Sequence, residues 1–248
     1  MHLKNKERKM AALITGSSRR IGAVIVKNLH TSGMDVGIHY NSSKTEATSL
    51  CAELNELRPN SASIFSGDIT LVNEAENLVK DFISWSGRID LLINNASSFY
   101  PTPIGTITEN HWNNLIGTNL KGPLFITQAA SGALKKAHGS VINLIDVHTR
   151  SPLKNHPAYS SAKAGLKMLT RSLAKDLAPE IRVNGISPGA ILWPEDGISE
   201  EAKKSILEQI PLNRTGSPQD IADCVLFLVN QANYITGQII AVDGGRSV

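Results

Sequence analysis

Two cysteines, Cys51 and Cys224, are all that the 248 residues contain, and neither stands in a CxxC or histidine-rich group. That scarcity argues against a disulfide framework and against a cysteine-based metal centre; free core thiols in a reducing compartment, the cytoplasm, are expected. Long apolar runs are equally scarce. After the polar, basic opening MHLKNKERKM, the first apolar stretch runs only from Ala11 to Ile14 before Thr15-Gly16, too short for a signal-peptide core or a membrane span. Neither sign of charge dominates: 25 Lys and Arg against 22 Asp and Glu give +3, and the basic residues are spread rather than striped. This pattern gives nucleic-acid binding little support and suits a small anionic ligand. Tryptophan is rare, with Trp85 and Trp112 read as packing residues and Trp193 as a candidate substrate contact.

Short apolar runs alternate with helix-length stretches from end to end. Ala11 to Thr15, Val36 to His39, Ser63 to Phe65, Leu91 to Asn94, Val141 to Ile145, Arg182 to Ile186 and Ile239 to Val242 read as strands. Such alternation implies right-handed βαβ crossovers and a parallel sheet of about seven strands covered by helices on both faces: an α/β chain with one doubly wound domain. Residues 1–10 read as a polar tail and 11–248 as that domain. The longest irregular stretch begins at Pro188, and a segment of about 188–210 is expected to close over a ligand at the carboxyl edge of the sheet.

The first strand runs into Thr15-Gly16-Ser17-Ser18-Arg19-Arg20-Ile21-Gly22, and a helix is expected from about Ile21 to His30. A strand, a glycine turn and a helix start present backbone N–H groups to a pyrophosphate. The plainer reading is a structural glycine turn. The second strand ends Ile38-His39-Tyr40-Asn41-Ser42-Ser43 with no acidic residue to hold a 2′-hydroxyl, which favours NADPH over NADH. His39 itself reads as capping or exposed.

Tyr159 and Lys163 fall one turn apart in a stretch that reads as helical from Ala158 to Ala178. An ammonium beside a phenol favours phenolate and is expected to draw the tyrosine pKa down toward the operating pH, making a proton donor. Thirteen residues upstream stands Asp146. Its carboxylate opposes a developing oxyanion but accepts from the N–H groups of a nitrogen heterocycle.

TGSSRRIG, Asp68 in SGDIT, Asn94-Asn95-Ala96, Asn119 in GTNLKGP, Tyr159 with Lys163, and Ser187-Pro188-Gly189 together resemble the short-chain dehydrogenase/reductase family, in order along nearly the whole chain. The resemblance implies a Rossmann-type fold and a cofactor site. In it, Gly16, Ser18, Arg19, Arg20, Ile21, His39, Tyr40, Asn41, Ser42, Ser43, Asp68, Asn95, Ala96 and Ser97 hold the dinucleotide, Lys163 with Tyr159 meets the ribose, and Pro188 with Gly189 flanks the nicotinamide. It assigns Asn119 to a water path to Tyr159; the plainer readings of Asp68 and Asn119 are turn and helix capping.

Two departures from the wider family, Arg20 for the middle glycine of TGxxxGxG and Asp146 for serine, match pteridine reductases, as does the run from Asn94 to Pro103. That similarity makes Arg20, Ser97, Phe99, Asp146, Tyr159 and Trp193 the substrate contacts, with Phe99 stacking on the pterin. It implies reduction of a 7,8-dihydropterin or dihydrofolate in a homotetramer. Asn41 and Ser42 stand where better-known members have histidine and arginine, and those members extend past the position of Val248. The rivals are an NADPH-dependent carbonyl or 3-oxoacyl reductase and a non-catalytic NADPH-binding regulator.

Overall fold

The computed structural model describes residues 9–193 and 197–248; most of the expected tail, and residues 194–196 of the expected substrate loop, lie outside them. Seven strands form one sheet: β1 (Ala11–Ile14), β2 (Asp35–Tyr40), β3 (Ala62–Ser66), β4 (Leu91–Asn94), β5 (Ser140–Leu144), β6 (Arg182–Pro188) and β7 (Ile239–Val242). Their order is β3-β2-β1-β4-β5-β6-β7 and every pairing is parallel. Strand order therefore reverses between β1 and β4, and the carboxyl ends of these two strands diverge into a crevice.

Alternation of side chains along each strand decides what each face meets. Ala12 and Ile14 of β1, Leu91 and Ile93 of β4 and Ile142 and Leu144 of β5 pack with Ile25 and Leu29 of α1 (Arg20–Thr31), Leu50 and Leu54 of α2 (Lys44–Leu57) and Val225 and Leu228 of α8 (Pro218–Asn230). Leu13, Leu92 and Val141 point the other way, onto Leu78 and Phe82 of α3 (Val72–Ser86), Ile126 and Leu134 of α5 (Gly122–Ala137) and Ala174 of α6 (Pro157–Asp176). Strands buried on both faces read as unbroken apolar runs, which is why they stood out in the sequence. Phe82, fully buried, meets Phe65 and Trp85 at ring separations of 5.6 and 5.8 Å; burial of one such side chain contributes about 1.5–3 kcal/mol.

A chain of two side-chain hydrogen bonds crosses the second face. Asn94 donates to Asn143 Oδ1 on the neighbouring strand (2.8 Å), and Asn143 donates to Thr170 of α6 (2.9 Å). They fix α6, and with it Tyr159, relative to the sheet. Trp112, expected to pack, is instead 48% exposed, because it lies on the outer side of the short α4 (Glu109–Ile116). Between α4 and α5 the helix opens into a π-helical turn, Gly117–Lys121. The segment after β6 holds α7 (Glu200–Glu208), with no fully buried residue, so the charged run there is a solvated face.

Candidate active site

The crevice is a cavity of about 460 Å³, and all fourteen residues expected from Gly16 to Ser97 to hold a dinucleotide line it. Sequence reading passed over Gly67, Ile69, Thr70, Asn114 and Thr118, which also line it. Thr70 follows Asp68 closely, but nothing local marks Asn114 and Thr118, which arrive on a distant helix. Gly16 sits at φ +58°, and a Cβ there would lie 2.7 Å from the Ala96 Cα; only glycine fits both constraints. Asn95 holds the turn from the other side, donating through Nδ2 to the Thr15 and Gly16 carbonyls (2.9 and 2.8 Å). Thr15 Oγ1 accepts in return from the Asn95 and Ala96 amides.

Helix α1 begins without a side-chain cap and without an acidic residue in its first turn. Its amides and Arg19 and Arg20 form a positive end suited to phosphate. Arg20 occupies φ +55°, a left-handed conformation that costs a non-glycine residue about 1–2 kcal/mol. Its Nη2 lies 3.5 Å from the Trp193 carbonyl, so Trp193 meets the cavity rim through its backbone. Asp68 serves as both turn and cavity wall: Oδ1 accepts from the Thr70 amide at 2.9 Å.

His39 differs from expectation. It is 2% exposed, with Nδ1 accepting from the Gly16 amide (2.9 Å) and Nε2 facing the Gly67 carbonyl (3.0 Å). Strand β2 continues to Tyr40 and carries the ring inward, where neither capping nor exposure is available to it.

The second half of the site is built on α6 and the end of β5. Tyr159 donates to Asp146 Oδ2 at 2.6 Å, and Asp146 Oδ1 accepts from the His148 amide at 2.8 Å, capping a single 3-10 turn. Lys163 is buried, donates to the Leu144 carbonyl (2.9 Å) and has its ammonium 5.9 Å from the Tyr159 ring centroid. The expectation that Lys163 draws the phenol down is overturned. Burial, then the Asp146 charge and the hydrogen bond to it, push the Tyr159 pKa well above the ordinary tyrosine value. Burial lowers Lys163 to about 8, with Asp146 partly offsetting that loss.

Asn119 lies fully buried in the π-helical turn, donating to the Ser98 and Leu115 carbonyls and accepting from Ser97 Oγ at 2.7 Å. Phe99, 53% exposed, meets Tyr159 edge-on (4.9 Å, 80°) and stacks on His156 (4.8 Å, 11°). His156 supplies no side-chain cap to α6, and its place behind Phe99 had no local signal. Gly189 is pressed against Asp243, whose Cα a Cβ would approach to 2.7 Å, which holds the end of β6 beside β7. No group of three or more metal-binding side chains occurs among the described residues, and no helix there is long and apolar enough to cross a membrane.

A family model described as enoyl-(acyl carrier protein) reductase matches residues 16–247. The chain belongs to the short-chain dehydrogenase/reductase family. The reductase is 34% identical to pteridine reductase 1 of Leishmania tarentolae over 96% of each chain. It is 36% identical to 3-oxoacyl-[acyl-carrier-protein] reductase FabG of Staphylococcus aureus over 95% of its own length and 97% of that enzyme's. As a member of this family it is an NAD(P)-dependent oxidoreductase acting on a small-molecule substrate.

Proposed function

We propose that the reductase is an NADPH-dependent pteridine reductase that converts a 7,8-dihydropterin, or dihydrofolate, to the tetrahydro form. The observation that carries this reading is the 2.6 Å bond from the Tyr159 hydroxyl to the Asp146 carboxylate. A carboxylate at that place cannot donate to a carbonyl oxygen, and its charge opposes an oxyanion; it can accept from the amino and ring N–H groups of a pterin.

The cavity suits the dinucleotide: the glycine turn leaves no room for a Cβ, α1 opens toward it uncapped, and no acidic residue ends β2. A 2′-phosphate would be met by Arg19, Asn41, Ser42 and Ser43. Bound NADPH supplies the hydride. Asp146 and Arg20 orient the heterocycle, while Phe99 offers a flat apolar face beside Tyr159. Tyr159 enters the reaction holding its proton, because burial and Asp146 disfavour phenolate. The Lys163 ammonium lowers the cost of phenolate as that proton moves toward the reduced ring nitrogen. Asn119 holds the Ser97–Phe99 segment against the π-helical turn and lies on the path by which water restores the proton. The working assembly is a cytoplasmic homotetramer.

A second reading, 3-oxoacyl reduction, draws on the staphylococcal relative of comparable identity. NADPH oxidation with dihydrobiopterin, dihydromonapterin, dihydrofolate and an acetoacetyl thioester as separate acceptors decides between them. Turnover of the pterins is expected; turnover of the thioester alone replaces this reading with the second, and NADPH binding without any turnover points to a regulator.

A further inference from the structure

His39 takes no part in hydride or proton transfer, yet both nitrogens of its buried ring are engaged. The Gly16 amide donates to Nδ1 at 2.9 Å, so Nδ1 carries a lone pair; Nε2, 3.0 Å from the Gly67 carbonyl, therefore carries the hydrogen. One neutral tautomer satisfies both contacts. The backbone of the same residue exchanges two bonds with Ser17: its carbonyl accepts from the Ser17 amide (2.9 Å) and its amide donates to Ser17 Oγ (3.2 Å). Gly16, His39 and Gly67 come from the ends of three adjacent strands, and all three line the dinucleotide cavity.

We propose that His39 is a positioning residue of the cofactor site: as the neutral Nε2–H tautomer it clamps the Gly16 turn to the Gly67 loop, and its protonation releases the turn and weakens NADPH binding. The proposal rests on the assignment of the cavity to the dinucleotide. A proton on Nδ1 would set one N–H against another. Gly16, at φ +58° and in contact with Ala96, has little slack to turn its amide elsewhere. Asp68, after β3, is the charged group that acts on the ring; Arg19 and Arg20 from the turn after β1 and Tyr40 next along β2 line the same cavity, and Glu74 on α3 accepts from the Asp68 amide. Burial holds the imidazole below its ordinary 6.5, outweighing the Gly67 carbonyl bond and the Asp68 charge, which both favour the imidazolium. A lowered pKa means that the clamp is complete at neutral pH and is lost as pH falls through a point below 6.5.

The test is NADPH affinity, read by nucleotide fluorescence from about pH 5 to about pH 8, the range in which histidine titrates. Wild type is compared with His39→Asn, whose amide oxygen keeps an acceptor near the Nδ1 position without titrating, and with His39→Leu, which keeps neither contact. The nucleotide's own 2′-phosphate titrates near ~6, so the readout is the ratio of Kd values between proteins at each pH. At neutral pH His39→Leu is expected to bind about ten-fold more weakly, the scale of one buried donor left unpaired. His39→Asn is expected to match wild type there and to bind more tightly than wild type in acid. Equal affinity of His39→Leu and wild type, or a pH profile shared by His39→Asn and wild type, overturns the role of His39 while leaving the cofactor assignment intact. Absence of NADPH binding by wild type at every pH overturns both. Thermal unfolding shows whether His39→Leu is folded; if it is not, the His39→Asn profile decides.

Discussion

Tyr159 and Asp146 form one hydrogen-bonded pair whose two members were both visible in the sequence, but whose state was not. Spacing placed Lys163 beside the phenol and predicted a lowered pKa; in the fold, Asp146 is the group in hydrogen-bond contact and Lys163 bonds to the Leu144 carbonyl instead. Replacing Tyr159 with Phe removes the proposed proton donor, and kcat for NADPH oxidation by a dihydropterin is expected to fall by about 10²–10⁴. Asp146→Asn keeps the shape and an acceptor oxygen but deletes the charge. Its kcat/KM for a dihydropterin is expected to fall about 10- to 100-fold, matching about 1.5–3 kcal/mol for a charged hydrogen bond, while NADPH affinity stays constant. An equal loss of NADPH affinity would mean that Asp146 merely holds the 3-10 turn through the His148 amide, its other contact.

At the scale of elements, the strands announced themselves through apolar runs, and their observed ends lie within two residues of expectation, the largest difference being β6 running on to Pro188. The π-helical turn did not. Nothing in Gly-Thr-Asn-Leu-Lys distinguishes it from continuous α-helix, because Asn119, which lies in it, finds two of its partners in the distant Ser97–Ser98 segment. That side chain satisfies the Ser98 and Leu115 carbonyls and accepts from the Ser97 hydroxyl, joining the turn to the segment that carries Phe99. Asn119→Ala leaves those groups without their partner. It is expected to cost about 1–3 kcal/mol, lowering the melting temperature by about 2–4 °C per kcal/mol in a chain of this size. Turnover should drop as well, since Phe99 loses its anchor. A melting temperature equal to that of wild type would show that water replaces the amide fully.

For the molecule as a whole, the buried Lys163 couples folding to pH. Its pKa is lowered from 10.5 to about 8, so between these values the unfolded chain holds a proton that the folded chain has released. Stability contributed by this group therefore rises with pH across that window. Activity should move the opposite way, falling above about pH 8 as the ammonium that stabilises phenolate is lost. Denaturant unfolding and kcat measured over the same pH series check both slopes. In Lys163→Met the alkaline gain in stability is expected to vanish; its persistence would assign the effect to another group.

Parallel strands, crossover helices and the glycine turn were determined by the sequence alone, because each rests on residues near in the chain and on a period of two or 3.6 that burial enforces. The lining of the cavity was legible for the same reason: its walls from Gly16 to Ser97 follow directly upon strand ends that all point to one edge. Tertiary structure alone decided how charge and protons are distributed in the site. His39 became a neutral clamp between Gly16 and Gly67, and His156 a support for Phe99. Tyr159 kept its proton and Lys163 came close to losing one. Those states depend on desolvation and on partners that only the folded sheet brings within hydrogen-bond distance.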